Sequence, residues 1–183
     1  MRVIAGIAKG TRIEAPGRKA TRPATDLVRG AIFSMLLNMA NDWSNVLDLY
    51  SGSGALGIEA LSRGAEWADF VDREPRSCSV IKDNLEKTGF KERSHVYCCP
   101  VKRALEFLEG DYNLVLMDPP YDMPGLEGLV GEVALSPCLK KGSFLVVAHS
   151  SRTPLPPQSE GLVRLKERQH GDTTVSIYQK GAP

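Results

Sequence analysis

Asp118-Pro119-Pro120-Tyr121 places a carboxylate, two prolines and an aromatic ring directly after an apolar run, in the stretch "LMDPPYD". A buried strand ending this way is chemically unusual, because a turn needs one proline and a carboxylate at a buried end is costly without a partner. The combination suits an acceptor carrying an exocyclic amine. Such an amine donates hydrogen bonds, so its site needs acceptors and no competing N–H groups. Asp118 supplies an anionic acceptor and Pro119 a carbonyl. Prolines at 119 and 120 delete two backbone donors and hold φ near −65°, and each extends the residue before it. Tyr121 offers a flat face for a base, worth about 1–3 kcal/mol. An aromatic amine is a poor nucleophile, because its lone pair is delocalised into the ring. Hydrogen bonds from both amine protons to Asp118 and the Pro119 carbonyl favour a pyramidal nitrogen. They strengthen as positive charge develops, which is the differential stabilisation that catalysis requires.

A second constellation precedes it. "DLYSGSGALG" runs from Asp48 to Gly57 after the apolar run "NVLDLY", and Gly52-x-Gly54-x-x-Gly57 fits the strand–loop–helix fingerprint of adenosine-derived cofactors. The spacing accommodates an NAD-type dinucleotide and S-adenosyl-L-methionine alike. Asp72 ends the next apolar run and lies 18 residues beyond Gly54, where a carboxylate can accept bonds from ribose hydroxyls. Asp48 can orient the loop by accepting backbone N–H bonds, or reach a cofactor ammonium through water. A dehydrogenase needs a substrate domain and a proton-handling residue; only 65 residues follow Asp118, with no clear catalytic set among them. Ser53 lacks the glycine two residues before it that a hydrolase elbow requires, since Ser51 stands there.

The elements that must position these groups alternate. Strands are expected at 45–50, 67–72, 94–99, 112–118 and 143–150. Helices are expected from Thr25 or Asp26, after Gly54, from Pro75 to Gly89, over "VKRALEFLEG" and near 125–138. A closing antiparallel pair follows a Pro-rich loop. The expected fold is α/β and Rossmann-like: a mostly parallel, seven-stranded sheet covered on both faces, with an antiparallel C-terminal hairpin. "MRVIAGIAKGTRIEAP" is expected to form a small β-hairpin around Lys9-Gly10. Residues 1–20 thus read as an extension and 21–183 as one domain.

Composition narrows the class. No apolar run approaches the roughly 20 residues of a bilayer span, and "MRVIAGIAKG" is too interrupted for a signal-peptide core. The four cysteines show no C-x-x-C spacing and are expected to pack in the core in a reducing cytoplasm. Three scattered histidines give no metal pattern, so no metal is expected. Net charge is +1, yet residues 1–29 carry a net +5 and the remainder a net −4. A basic arm on an acidic body points to a polyanionic partner.

The segments "TRPATDLVRGAIF" (21–33), "VLDLYSGSGALGIEALSRGA" (46–65), "FVDREPRS" (70–77), "LVLMDPPYD" (114–122) and "RQHGDTTVSIYQK" (168–180) together resemble the RsmD family. These are bacterial methyltransferases acting on the exocyclic N2 of a guanine in 16S ribosomal RNA. The resemblance covers nearly the whole chain. It implies S-adenosyl-L-methionine held at Asp48, Tyr50, Gly52, Ser53, Gly54, Asp72, Arg73 and Asp118. It implies the target amine at Asp118, Pro119, Pro120 and Tyr121, with Arg22 and Pro23 near the mouth. RNA contacts are expected at Arg2, Lys9, Arg12, Arg22 and Arg29, with a monomer acting on the rRNA of a small-subunit particle. Pro100 stands where many relatives carry an acidic residue near the adenine, so backbone groups of Val101 are expected to substitute. Ala24 replaces a common threonine and Gly30 a common glutamate; Gly30 weakens its helix by about 1 kcal/mol relative to alanine. "DPPY" alone also admits methyltransferases acting on adenine or cytosine in DNA. The glycine loop alone admits an NAD(P) oxidoreductase.

Overall fold

A computed structural model describes residues 1–17, 25–39, 42–121 and 123–181. The strands are β1 (Asn45–Leu49), β2 (Trp67–Asp72), β3 (Ser94–Cys98), β4 (Tyr112–Met117), β5 (Leu139–Ser150), β6 (Gln158–Ser159), β7 (Leu162–His170) and β8 (Thr173–Lys180). The helices are α1 (Asp26–Leu36), α2 (Ala55–Ser62), α3 (Pro75–Thr88), α4 (Val101–Phe107) and α5 (Leu126–Leu135). One sheet runs in the order β3-β2-β1-β4-β5-β8-β7-β6. β1 to β5 are mutually parallel, and β8, β7 and β6 continue antiparallel. The expected class holds, with eight strands among the described residues rather than seven. The extra one is a two-residue strand in the stretch read as a Pro-rich loop.

Alternation along the buried strands feeds two helical layers. Val46, Phe70, Leu114, Leu116, Val146, Val175 and Ile177 pack with α1, α2 and α3. Leu47, Leu49, Val71, Val115, Met117, Leu145 and Tyr178 pack with α4 and α5. Both faces are apolar, which is why these strands read as continuous hydrophobic runs. Local chemistry sets the helix ends. Thr25 Oγ1 accepts from Val28 N at the start of α1. Pro75 opens α3, and Gly89 closes it at φ 76°. Gly30 sits in α1 where an added Cβ would meet only open space.

The chain winds from β1 outward to β3, then returns across β1 to β4 and β5. The winding direction therefore reverses between β1 and β4. At such a switch point the connections leave in opposite directions and open a crevice at the strands' carboxyl ends. Asp48 lies in β1 and Asp118 immediately follows β4, so both border this crevice.

The N-terminal segment departs from the expected hairpin. A single bridge joins Arg2 to Arg12, with Val3 N to Thr11 O at 3.0 Å and Ile13 N to Met1 O at 3.1 Å. Between them the donors turn away to α2. Ile4 N and Ala5 N donate to the two Glu59 carboxylate oxygens at 2.8 and 3.0 Å. Ala8 N donates to Ser62 Oγ at 3.0 Å and Ile7 N to Ser62 O at 2.8 Å. Regular strands do not form because α2 takes their bonds. Gly6 permits this approach: at φ 84°, its added Cβ would lie 1.8 Å from Ser62 O. Val3, Ala8 and Ile13 are buried in the α1–α3 core.

Candidate functional site

The loop after β1 is built by side chains that return to its backbone. Ser51 Oγ donates to Asp48 O at 2.6 Å and accepts from Val71 N at 3.0 Å, while Ser51 N donates to Val71 O at 3.1 Å. This stitches the loop to β2. Tyr50 (φ 59°), Gly52 (φ 55°) and Gly54 (φ 76°) all take left-handed backbone. The first of these is uncommon for a bulky residue and marks a loop held by its surroundings.

The glycine N–H groups have internal partners. Gly52 N donates to Asp72 Oδ2 at 2.8 Å, Gly54 N to Ser51 O at 2.7 Å and Gly57 N to Asp48 Oδ2 at 2.9 Å. A diphosphate-binding loop needs such donors aimed at the ligand. Here Gly52 N and Gly57 N hold the carboxyl groups of Asp72 and Asp48 and Gly54 N holds a loop carbonyl. The loop thus gathers carboxyl groups rather than outward donors and suits a cationic ligand, toward which Asp48 ionises. Gly57 must be small, since a Cβ there would lie 2.4 Å from the Phe70 ring and 3.2 Å from Asp48 Oδ2. Glu74 N donates to Asp72 Oδ1 at 2.9 Å, fixing both oxygens of Asp72 while leaving each a lone pair for a further donor.

Asp48 is 1% exposed. Burial pushes its pKa up to about 8; the Gly57 N–H opposes this, and the charges of Asp118 and Asp72 add to it. The register places these three carboxyl groups at one sheet edge, because Leu49 lies opposite both Val71 and Met117, the residues before Asp72 and Asp118.

Beyond β4, Pro119 is buried and Asp118, Pro120 and Tyr121 are half-buried. Met123 N donates to Pro120 O at 3.0 Å, so the second proline's carbonyl closes a turn. The Tyr121 hydroxyl shares a 2.5 Å hydrogen bond with Thr173 Oγ1, anchoring the ring to the start of β8. Val101 opens α4 directly after Pro100, at the carboxyl side of β3. Arg73 is exposed and paired with Glu74 at 3.2 Å.

The expected RNA-facing residues divide. Arg2, Lys9 and Arg12 are exposed. Arg29 is corrected: it is 1% exposed, its Nη2 donating to Arg2 O at 2.7 Å and Asp26 Oδ1 at 2.9 Å. Burial lowers its pKa against the opposing pull of Asp26. Its charge thus braces the arm against α1. Arg22 and Pro23 lie outside the described residues. The cysteine expectation is also corrected in part, since Cys78 and Cys138 are buried but Cys98, at the end of β3, is exposed.

Asn84 was missed by sequence reasoning. It is fully buried; its Nδ2 donates to Ser53 O and Glu14 O, both at 2.9 Å, and its Oδ1 accepts from Glu14 N at 2.9 Å. It ties the arm to the glycine loop. Its signal is an amide on the buried stripe of α3, beside Ile81 and Leu85. Met1 joins the same junction, with Sδ 3.6 Å from Ser53 Oγ. Thr173 was likewise visible only as part of "GDT".

Residues 1–179 match the family described as "Conserved hypothetical protein 95". The chain is 37% identical to the Bacillus subtilis protein named "Putative rRNA methyltransferase YlbH", covering 98% of this chain and 99% of that one. It is 28% identical to "Ribosomal RNA small subunit methyltransferase D" of Escherichia coli, over 100% of this chain and 91% of the other. A solved hypothetical protein of Thermus thermophilus superposes with a TM-score of 0.85 at 27% identity, covering 98% and 99% of the two chains. A structure described as "Putative methyltransferase yhhF from Escherichia coli" gives 0.83 at 27% identity, covering 100% and 99%.

Proposed function

The chain belongs to the conserved hypothetical protein 95 family, the RsmD family of the sequence resemblance, and from that premise we propose that it methylates the exocyclic N2 of a guanine in 16S rRNA, with S-adenosylmethionine as donor. The observation that carries the choice of donor is the internal bonding of the three glycine N–H groups, two of them to the carboxyl groups of Asp72 and Asp48 and one to the Ser51 carbonyl. That arrangement fits a cationic cofactor and disfavours the diphosphate of a dinucleotide. S-adenosylmethionine supplies an electrophilic methyl group on a sulfonium. Asp72 is assigned to ribose hydroxyls through its remaining lone pairs, Asp48 to the cofactor's positively charged end, and the Gly52–Gly54 backbone to close approach.

The acceptor half of the site is assigned to "DPPY". Asp118 and the Pro119 carbonyl receive the two amine protons, and the prolines offer no donor to compete. Tyr121, held by Thr173, stacks on the base. As nitrogen acquires positive charge, the Asp118 carboxylate stabilises it and then takes the released proton or passes it to water. Placement does the remainder of the work. A guanine inside an RNA stem must first be extruded, at a cost of a few kcal/mol. The exposed Arg2, Lys9 and Arg12 are assigned to phosphates. Arg2 and Arg12 face each other across their bridge, where like charges repel unless a polyanion lies over them. Among the described residues no helix is long and apolar enough to cross a membrane.

The acceptor is tested by incubating the protein and labelled S-adenosylmethionine with small-subunit particles lacking the modification, protein-free 16S rRNA, and duplex DNA. Label is expected in rRNA, preferentially in the particle, and none in DNA. Label in DNA alone would overturn the assignment.

A pH dependence follows from Asp48. Burial keeps its carboxyl neutral below a pKa of about 8, and a bound cation favours the anion, so cofactor binding releases a proton. Calorimetry is expected to show affinity rising from pH 6 to about 8 and then levelling, with Asp48→Asn giving a flat profile. Stability runs the other way. The folded pKa lies above the ordinary 3.8, so this group's contribution is complete below pH 3.8 and lost as pH rises through about 8. A native affinity independent of pH would contradict the role given to Asp48.

A further inference from the structure

β7 reads "LVRLKERQH", with basic residues at Arg164, Lys166, Arg168 and His170. Its pairing with β8 shifts register between Arg164 and Lys166: Arg164 sits opposite Tyr178, whereas Lys166 sits opposite Ile177 and Arg168 opposite Val175. Directly opposed residues in an antiparallel pair share a sheet face. Ile177 and Val175 belong to the α1–α3 face, and Tyr178 to the α4–α5 face. Leu165 is therefore a bulge residue that resets the phase of the strand. Without it, Lys166 would face the α4–α5 side.

The reset sorts charge by face. Lys166 and Arg168 fall together on the α1 side, both exposed. Glu167 falls on the opposite side, where Arg164 Nη1 donates to its Oε2 at 2.6 Å and Ser176 Oγ donates at 3.1 Å. Among the described residues neither Lys166 nor Arg168 enters an ion pair. β6 covers only the Leu162–Val163 end of β7. The stripe ends at His170, which pairs with Thr173, the residue bonded to the Tyr121 hydroxyl. Nearby, exposed Arg152 lies in the loop tied to the β7–β8 turn by Ser151 N to Asp172 O at 2.9 Å. Asp172 is the acidic group of that turn.

The N-terminal arm lies on the same sheet face. Its Val3, Ala8 and Ile13 join the α1–α3 core, Arg29 of α1 donates to Arg2 O, and Met1 reaches Ser53 of the glycine loop. Two basic surfaces on one sheet face thus reach the crevice mouth from its two sides. One reaches it at Ser53 and the other at Tyr121.

We propose that Lys166 and Arg168, placed on one face by the Leu165 bulge, form a second phosphate-binding surface that holds substrate RNA across the crevice mouth opposite the N-terminal arm. The proposal rests on the rRNA reading above and adds a site to it. Two contacts, rather than one flexible attachment, orient the RNA so that one base meets "DPPY".

The test is the double substitution K166Q/R168Q, measured by binding to 16S rRNA transcript and to particles across a salt series. The control K140Q/K141Q removes the same charge at the opposite end of β5. K166Q/R168Q is expected to weaken RNA binding about 10- to 100-fold and to reduce the slope of log affinity against log salt by about 1.4–1.8, at 0.7–0.9 per phosphate contact. S-adenosylmethionine affinity by calorimetry stays unchanged, which verifies the fold. An unchanged slope in a protein that still binds and methylates RNA overturns the second surface and leaves the functional reading standing. An equal loss in K140Q/K141Q overturns it as a general charge effect. A loss confined to particles, with transcript binding intact, overturns it in favour of a ribosomal-protein contact. If the native protein neither binds nor methylates any rRNA, both readings fall.

Discussion

Asp118→Ala is expected to lower methyl transfer to rRNA by about 10²–10³-fold, the range observed when one preorganised electrostatic contact is removed from a reacting centre. The loss belongs in kcat, because the contact strengthens only as the amine nitrogen becomes positive. RNA affinity, carried by phosphate contacts at the arm, stays nearly unchanged. Cofactor affinity changes little, or rises where relief of repulsion with Asp48 lets that group ionise more readily. Asp118→Asn separates charge from geometry: it keeps an acceptor oxygen but introduces an NH2 donor into an acceptor-only cradle, so it recovers little activity. Single-turnover kinetics at saturating RNA reads these effects directly. Unaltered turnover in Asp118→Ala would remove this carboxylate from the mechanism.

Asp72→Ala is expected to weaken S-adenosylmethionine binding about 100-fold, corresponding to roughly 3 kcal/mol. Two losses combine. The carboxylate no longer meets the ribose hydroxyls, and Gly52 N and Glu74 N lose the oxygens that fix the loop at 2.8 and 2.9 Å. Hydrogen bonds to a charged group contribute about 1.5–3 kcal/mol each. Calorimetry gives the affinity. Raising cofactor concentration is expected to restore most of the turnover, which distinguishes this variant from Asp118→Ala. An affinity within threefold of native would contradict the assignment.

The strand–helix order and both chemical loops were legible because their signals are local. Strands buried on both faces read as apolar runs, Gly54 and Gly57 mark a strand-to-helix turn, and Asp72 closes the next strand. Asp48 reads from the sequence as an acceptor of backbone N–H bonds or as a partner of a cofactor ammonium, and Gly57 N makes a bond of the first kind. What escaped was non-local. The hairpin pattern at residues 1–14 is real at its ends, but the donors of Ile4, Ala5 and Ala8 find Glu59 and Ser62 more than fifty residues away. Arg29 groups with the basic arm in the sequence because its type shows charge and not burial; only the fold reveals that Arg2 O, Met1 and Asp26 enclose it. β6 is two residues long in a Pro-rich stretch, too short for any periodicity. Cys98 is the last residue of the edge strand β3, and its exposure follows from that position rather than from its residue type. Asn84 gave a signal, an amide on an apolar helical stripe, but its partners Glu14 and Ser53 come from distant segments.

The most direct measurement is nucleoside-level mass spectrometry of 16S rRNA from small-subunit particles lacking the modification, after incubation with the protein and isotopically labelled S-adenosylmethionine. Label is expected in N2-methylguanosine at a single position, and none when Asp118→Ala replaces the native protein. Label in a methylated adenine or cytosine, or undiminished N2-methylguanosine with Asp118→Ala, would contradict the proposed reaction.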